Sequence, residues 1–365
     1  MKKLDWYILK NFFTTFFFSI FLFTIIAVVI DVSEKTDDFV RSKLGFTGVI
    51  TNYYFGFVPH IIGLLFPLFV FIAVIFFTSK MATRSEIIAI LASGTSFNRW
   101  LRPYFIGGFF LAALLWVANQ FVIPKANIIR TGFEAKYIDA NSSYEALTRG
   151  MRGRDLYFKI DSFTYAGILS YDTATKQGGP FFMNKMKGNQ VIENIRAENI
   201  TWDPPKNQWH LYGVIDRKLL GLREQLTMET DRYCKFSFMP FDLKRDNYAQ
   251  SKLTTPELKR YIQLEELRGS EGLNTLKVER YKRDATPFTV FLLTIIGAVV
   301  AGRKVRGGSG MHLALGFMTA SVFIITDKFS TIFSTKGDLP PMLAAWIPNI
   351  VFCFIAYYIY KKAPK

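Results

Sequence analysis

"NFFTTFFFSIFLFTIIAVVI", residues 11 to 30, contains no charged side chain. A helix needs about 20 apolar residues to cross the hydrocarbon core of a bilayer, so this run is long enough to span one. It lacks a cleavage site of the A-x-A kind and exceeds the apolar core of a signal peptide, so it reads as a retained helix. Working outward, four further runs qualify: Tyr53 to Ser79, Pro103 to Pro124, Met311 to Thr326 continuing past Asp327 to Phe333, and Met342 to Tyr360. A shorter one, "TPFTVFLLTIIGAVVAG" from Thr286 to Gly302, makes six. Three spans therefore lie on each side of a polar middle, which predicts a division into 1–124, 125–283 and 284–365.

The 365 residues are 50% hydrophobic and 16% aromatic, with a net charge of +16. In a soluble chain that charge would point to nucleic acid. Here the basic residues gather beside apolar runs, as topology signals do. Lys2, Lys3 and Lys10 precede the first span; Lys80, Arg84, Arg99 and Arg102 lie between the second and third; Arg303, Lys304 and Arg306 follow the fourth; Lys361, Lys362 and Lys365 close the chain. With six spans all of these fall on one side, so the positive-inside bias places both termini in the cytoplasm. The connection from Asp31 to Asn52 carries four acids against three bases, as suits the outer side. Residues 125–283, with 27 basic and 20 acidic residues, then form a large outer domain. Its surplus of positive charge reads either as an anion-binding surface or as an ordinary solvated surface. No nucleic-acid partner is expected. Cys234 and Cys353 fall in different regions and are not expected to pair.

From Asp155 onward the pattern changes to short runs rich in aromatic and β-branched residues: "DLYFKIDSF", "TYAGILSY", "QVIENIRAENITW" and "QWHLYGVID". Turn clusters such as "KQGGP" and "WDPPKNQW" separate them, which predicts a β-sandwich or an open barrel. Its strands either pack on one another or hold an acyl chain. In "LTTPELKRYIQLEELR" Thr255 reads as a helix N-cap with Pro256 at the first helical position. "LNTLKVERYKRDATPF" reads as a helix running into the fourth span.

Recognised catalytic signatures are missing: there is no phosphate-cradling G-x-x-x-x-G-K-[ST], no G-x-S-x-G turn and no H-E-x-x-H. His60, His210 and His312 fall in three regions, which argues against a shared metal site. Chemistry by this chain itself is not expected, so work on a substrate would draw on a partner or a gradient. Asp327 and Lys328 are the ionisable residues inside the spans, and they read either as an ion-coupling pair or as a structural pairing within the bundle. A partner-driven machine is the preferred reading.

"RSEIIAILASG", Arg84 to Gly94, bears on that partner. Ser85 or Thr83 would cap a short helix, Ile87, Ile88 and Leu91 would lie along one side, and Ser93 and Gly94 would end it. Such a helix either docks in a groove of another protein or lies on the lipid headgroups.

"RSEIIAILASGTS" resembles the coupling-helix motif of the LptF/LptG (YjgP/YjgQ) family of lipopolysaccharide-export permeases. "LDWYILKNF" at the start, "ERYKRDATPF" entering the fourth span, "DKFS" late in the fifth and "WIPNIVF" in the sixth agree in order. The "LD-x-YI" opening and Asp327 lean towards the LptG branch. The resemblance implies a membrane α-helical fold of six transmembrane helices with an inserted periplasmic β-jellyroll-like domain, in a multi-pass protein of the bacterial inner membrane. It further implies a heterodimer with a related six-span permease subunit above a cytoplasmic ATPase dimer. The pair would extract lipopolysaccharide and pass it through the jellyroll and a periplasmic bridging protein towards the outer membrane. Arg84, Glu86, Ile87, Leu91 and Gly94 would sit in the ATPase groove. No cofactor is implied for this chain, because ATP and magnesium would bind the partner, and no enzymatic role.

The chain departs from the family at the outer end of the first span, where relatives carry basic residues that hold lipid phosphates. "DVSEKTDDFVRSK" mixes the candidate headgroup contacts Lys35, Arg41 and Lys43 with Asp31, Glu34, Asp37 and Asp38. Pairing with phosphate needs net local positive charge or a bridging divalent ion, and this segment supplies neither clearly. A second reading from another class is a non-transporting scaffold or signal transducer whose outer β-domain binds a ligand.

Overall fold

The computed structural model describes residues 3–138, 156–161, 163–172, 175–188, 190–221, 223–236, 238–240, 248–268, 272–303 and 308–363. The chain divides into two compact units. One comprises Met1–Glu134, Gln250–Leu258 and Asn274–Lys365, and the other Ala135–Ala249 with Lys259–Leu273.

The first unit is helical. Among the described residues six helices are long and apolar enough to cross a membrane: α1 (Lys3–Arg41), α2 (Phe46–Thr83), α4 (Phe97–Ile138), α6 (Leu273–Ala301), α7 (Gly308–Thr335) and α8 (Pro341–Lys361). The short α3 (Glu86–Ala92) joins α2 to α4, and α5 (Thr255–Arg268) starts in this unit, with its residues from Lys259 onward counted in the second. With no water in hydrocarbon, each helix satisfies its backbone groups internally, which is why uncharged runs settle as helices. The helices outrun the uncharged stretches, since α1 extends 39 residues. Wide π-type turns at Ile50–Tyr54 and Ala118–Val122 precede Pro59 and Pro124, where a proline removes a backbone donor from the ladder.

α2 packs against α1, α4 and α7, and α7 also meets α8. The main core joins Phe12 and Phe16 of α1, Phe69 and Val74 of α2, Trp100 and Tyr104 of α4 and Val290 of α6, all buried. α1 buries little beyond this seam. Phe17, Phe18, Phe21, Phe23 and Val29 are exposed, a surface suited to lipid or to another helix rather than to water. The helix predicted to run into the fourth span is continuous with it, as α6 includes "ERYKRDATPF" without a break. Thr255, predicted as an N-cap, lies inside α5. Thr254 caps instead, its N–H and hydroxyl both donating to the Glu257 carboxylate at 2.8 and 2.6 Å. The Thr255 hydroxyl accepts from Arg283 at 3.1 Å.

The second unit is an antiparallel β-domain, with nine strands among its described residues: β1 (Leu156–Asp161), β2 (Thr164–Ile168), β3 (Tyr171–Asp172), β4 (Gln177–Gly178), β5 (Phe181–Lys187), β6 (Gln190–Ala197), β7 (Asn199–Asp203), β8 (Gln208–Leu220) and β9 (Arg223–Cys234). Their pairings describe a meander with a transverse crease. β2 and β3 run on from one another, as do β4 and β5, and β6 and β7; each joined strand pairs with the next, and β8 spans the full width against β9. At the crease Glu198 donates its N–H to the Tyr212 carbonyl at 2.9 Å, and Gly213 adopts φ +62°. A Cβ at Gly213 would meet the Glu198 side chain at 2.9 Å, so glycine suits this position for both conformation and space.

The crease reverses which side of a strand faces inward. Trp209 and Leu211 are buried before it, and Val214 and Asp216 after it. Residues from both sides, including Phe181, Ile195, Ile200, Trp209 and Val214, close on one core with Phe238. The result is the jellyroll-like domain inserted between the two sets of helices.

Candidate functional site

Three parts of the helical unit hold residues singled out by the sequence. The first is the end of the bundle where both termini meet the α2–α4 connection. Seven residues form α3, too few to be stable unaided. Ser85 precedes α3 with φ 59° and makes no side-chain capping bond. Ser93 and Gly94 do end it, with Gly94 at φ +85° and its N–H donating to the Leu91 carbonyl at 3.1 Å. The apolar stripe divides between two sides. Ile87 is 2% exposed and packs in the core with Ile8, Met81 and Phe97, with Leu91 partly buried against the same cluster. Ile88 is 50% exposed and faces away.

Glu86 accepts a hydrogen bond from the Tyr7 hydroxyl at 3.2 Å and lies 3.9 Å from Arg84. Beside it, Arg99 donates to the buried Asp5 carboxylate at 2.8 Å. Of the five residues nominated for docking, Arg84 and Gly94 are exposed, Glu86 and Leu91 half-buried and Ile87 buried. The outward surface is completed by Ile88, Ala89 and Ala92. Tyr7, Asp5 and Arg99 had no local signal, since their partners lie 79 and 94 residues away.

The second part is the opposite end of α1. Asp31 accepts from the Tyr53 and Tyr54 hydroxyls at 3.0 and 3.1 Å and pairs with Lys35 at 2.9 Å. Lys35 also lies 3.5 Å from Glu134 and contacts the Tyr53 hydroxyl. Arg130 completes the group with two bonds to Glu134 at 3.0 and 3.1 Å. Two bases thus balance two acids, and the Lys35 ammonium is spent inside the bundle. Arg41 and Lys43 are exposed and form no ion pair among the described residues.

The third part is Asp327, which accepts from Lys282 at 2.6 Å. One turn along α6 from Lys282, the Ala285 carbonyl accepts from Asn349 at 3.1 Å, and Asn349 accepts from the Thr289 hydroxyl at 2.8 Å. "ERYKRDATPF", "DKFS" and "WIPNIVF", separate in sequence, therefore meet through side chains.

Within the β-domain the interior is packed around Trp209, whose indole donates to the Phe238 carbonyl at 2.9 Å. Past the crease the inward face becomes polar: Arg232 donates to Asp216 at 2.8 Å and to Glu229 at 2.7 and 2.8 Å. The Arg232 guanidinium holds the Glu229 carboxyl below its ordinary range. Burial pushes the Cys234 thiol up, the direction that disfavours the reactive thiolate. Among the described residues no group of three or more His, Cys, Asp or Glu is placed to hold a metal ion.

A family described as "Lipopolysaccharide export system permease LptF/LptG" matches residues 6–362. The chain is 19% identical over 365 residues to the lipopolysaccharide export system permease protein LptG of Escherichia coli strain K12, covering 98% of each chain. The LptG of Escherichia coli O6:H1 matches to the same extent. These relatives are named as permeases, a transport role and not a catalytic one. The family match over nearly the whole length, together with six membrane-length helices and the inserted β-domain, places this chain in the LptF/LptG family of lipopolysaccharide export permeases, as a multi-pass inner-membrane protein.

Proposed function

We propose that this chain is one of two related six-span permease subunits, nearer the LptG branch, standing over a cytoplasmic ATPase dimer. In this reading both termini and α3 face the cytoplasm and the β-domain lies in the periplasm, as the distribution of Lys and Arg favours. ATP and magnesium bind the ATPase. Its closure drives the helices, lipopolysaccharide leaves the inner membrane, and the β-domain passes it on to a periplasmic bridging protein of the same pathway.

The observation that carries the reading is the division of α3. Ile87 and Leu91 anchor it to the bundle, and this leaves Glu86, Ile88 and Ala92 for a partner's groove. Phosphates of the lipid would be met by Arg41 and Lys43, the exposed cations at the outer end of α1. Lys35, neutralised by Asp31 and Glu134, supports that end instead.

Purification of the chain from its native membrane in mild detergent tests the reading. It should bring down a sibling permease, an ATPase and lipopolysaccharide, and Glu86→Ala should abolish lipid release while the chain still inserts. Recovery of the chain alone, or normal export by Glu86→Ala, would count against it and favour a scaffold or signal transducer.

A further inference from the structure

The first residue of α3 and the segment that follows α3 are fastened to one turn of α1. On the near side Tyr7 donates to Glu86 at 3.2 Å. On the far side Arg99, in the first turn of α4, donates to Asp5 at 2.8 Å. Asp5 is 4% exposed. A carboxylate so placed is stabilised by its pair, and an ion pair held out of water is far less yielding than one on the surface. Arg99 is itself set in place, its N–H donating to the capping Ser96 hydroxyl at 3.3 Å. Asn98, one residue earlier, accepts from Tyr360 of α8. The floor under α3 is therefore built from α1, α4 and α8.

From Asp5 the helix α1 continues unbroken to Arg41. It is held again at Asp31 by Tyr53 and Tyr54, and at Lys35 by Glu134. Between Asp5 and Asp31 the rise of an α-helix spans about 39 Å. A seven-residue helix is too short to be stable unaided, so its place relative to α1 depends on these ties together with the Ile87 and Leu91 anchors.

We infer that Asp5 and Arg99 are positioning residues that lock the docking helix to α1, so that displacement of α3 by a partner is delivered along α1 to its far end. This rests on α3 being the docking site of an ATPase.

The test uses the full chain co-expressed with its native membrane partners and reconstituted in proteoliposomes. Asp5→Asn, Arg99→Met and the exchanged pair Asp5→Arg with Arg99→Asp are compared with wild type. Co-purified ATPase, ATP hydrolysed and lipopolysaccharide released to an acceptor are measured in each. The single variants should keep the ATPase bound while lipid released per ATP falls about tenfold, a usual size for coupling between sites. The exchanged pair should recover most of that ratio. Where Asp5→Asn fails to insert, Arg99→Lys, which keeps the charge and loses the planar fork, is read the same way. An unchanged ratio in the single variants overturns the lock and leaves the docking reading intact. A ratio that falls only in step with lost folding, unrecovered by the exchange, also overturns it, as the pair would then serve the fold alone. Absence of any ATPase from the wild-type preparation overturns docking and lock together.

Discussion

Lys282 of α6 donates to Asp327 of α7 across 2.6 Å, and both side chains are partly shielded, at 22% and 28% exposure. The pair joins two helices through two charges that would each be costly alone in a membrane. Asp327→Asn should lower stability by about 1–3 kcal/mol, less than a fully buried pair would lose. Lys282→Met with Asp327→Leu should recover most of it, as read by thermal unfolding in detergent. If the pair is structural, that double variant still exports lipid; loss of export at full stability would instead make Asp327 an ion-coupling residue.

Ile87 and Ile88 are adjacent but face opposite ways. Ile87→Ala should cost about 2–5 kcal/mol through the cavity it leaves. Ile88→Ala should cost under about 0.5 kcal/mol. Ile88→Asp should leave the melting temperature unchanged and reduce the ATPase recovered with the chain. Equal effects of the two positions on folding would contradict the division of α3.

Gly213 combines φ +62° with a close approach to Glu198. Gly213→Ala should destabilise the β-domain by about 1–3 kcal/mol, from backbone strain and the crowded Cβ. Adding Glu198→Ala should return only the steric part. Limited proteolysis of the full chain reads both, and a neutral Gly213→Ala would show that the crease relaxes freely.

Glu229 offers a pH test. Its carboxyl is held below the usual range by hydrogen bonds from Arg232. A group whose folded value is depressed adds stability above its unfolded value near 4.5, and that contribution is lost as pH falls through the lower folded value. The β-domain should therefore loosen more steeply with acid below pH 4.5 in wild type than in Arg232→Met. Parallel acid limbs in the two proteins would remove Glu229 from the account.

Val214 is 1% exposed in the core of the β-domain. Val214→Asp puts a carboxylate into the buried core, opposite Glu229 in the strand pairing, and should stop lipid passing the domain. A photoreactive residue at Leu211, on the same inward side, would report this as lost crosslinking to lipopolysaccharide. Undiminished crosslinking would mean that these strands only pack.

The six helices were legible because length and lack of charge are local properties, and hydrocarbon leaves a chain few alternatives. The β-domain was legible as a class from alternating runs. Its crease was not, since "LYGVID" reads as ordinary strand and the need for Gly213 comes from Glu198 on the neighbouring strand. "RSEIIAILASG" was visible as a motif, but an unbroken apolar run from Ile87 to Leu91 does not say which side the bundle will claim. The partner that Lys35 meets at Glu134, nearly one hundred residues on, cannot be seen from "SEKTDD". The same distance hid Asp5 and Arg99. Asp327 announced itself, beside Lys328, as a charge within an apolar run, and its partner waited in a motif quoted for another reason.

The reversal at Gly213 also changes how a labelling scan along β8 must be decoded. Probes at Trp209 and Leu211 sample the interior, and continuing in steps of two to Ile215 and Arg217 moves them to the outside, while Val214 and Asp216 carry the interior onward. A fixed stride would thus record an abrupt loss of signal half-way along the strand and mistake it for the mouth of a tunnel. Shifting the stride by one at Gly213 restores a continuous track, and its length is then a property of the ligand and no longer of the numbering.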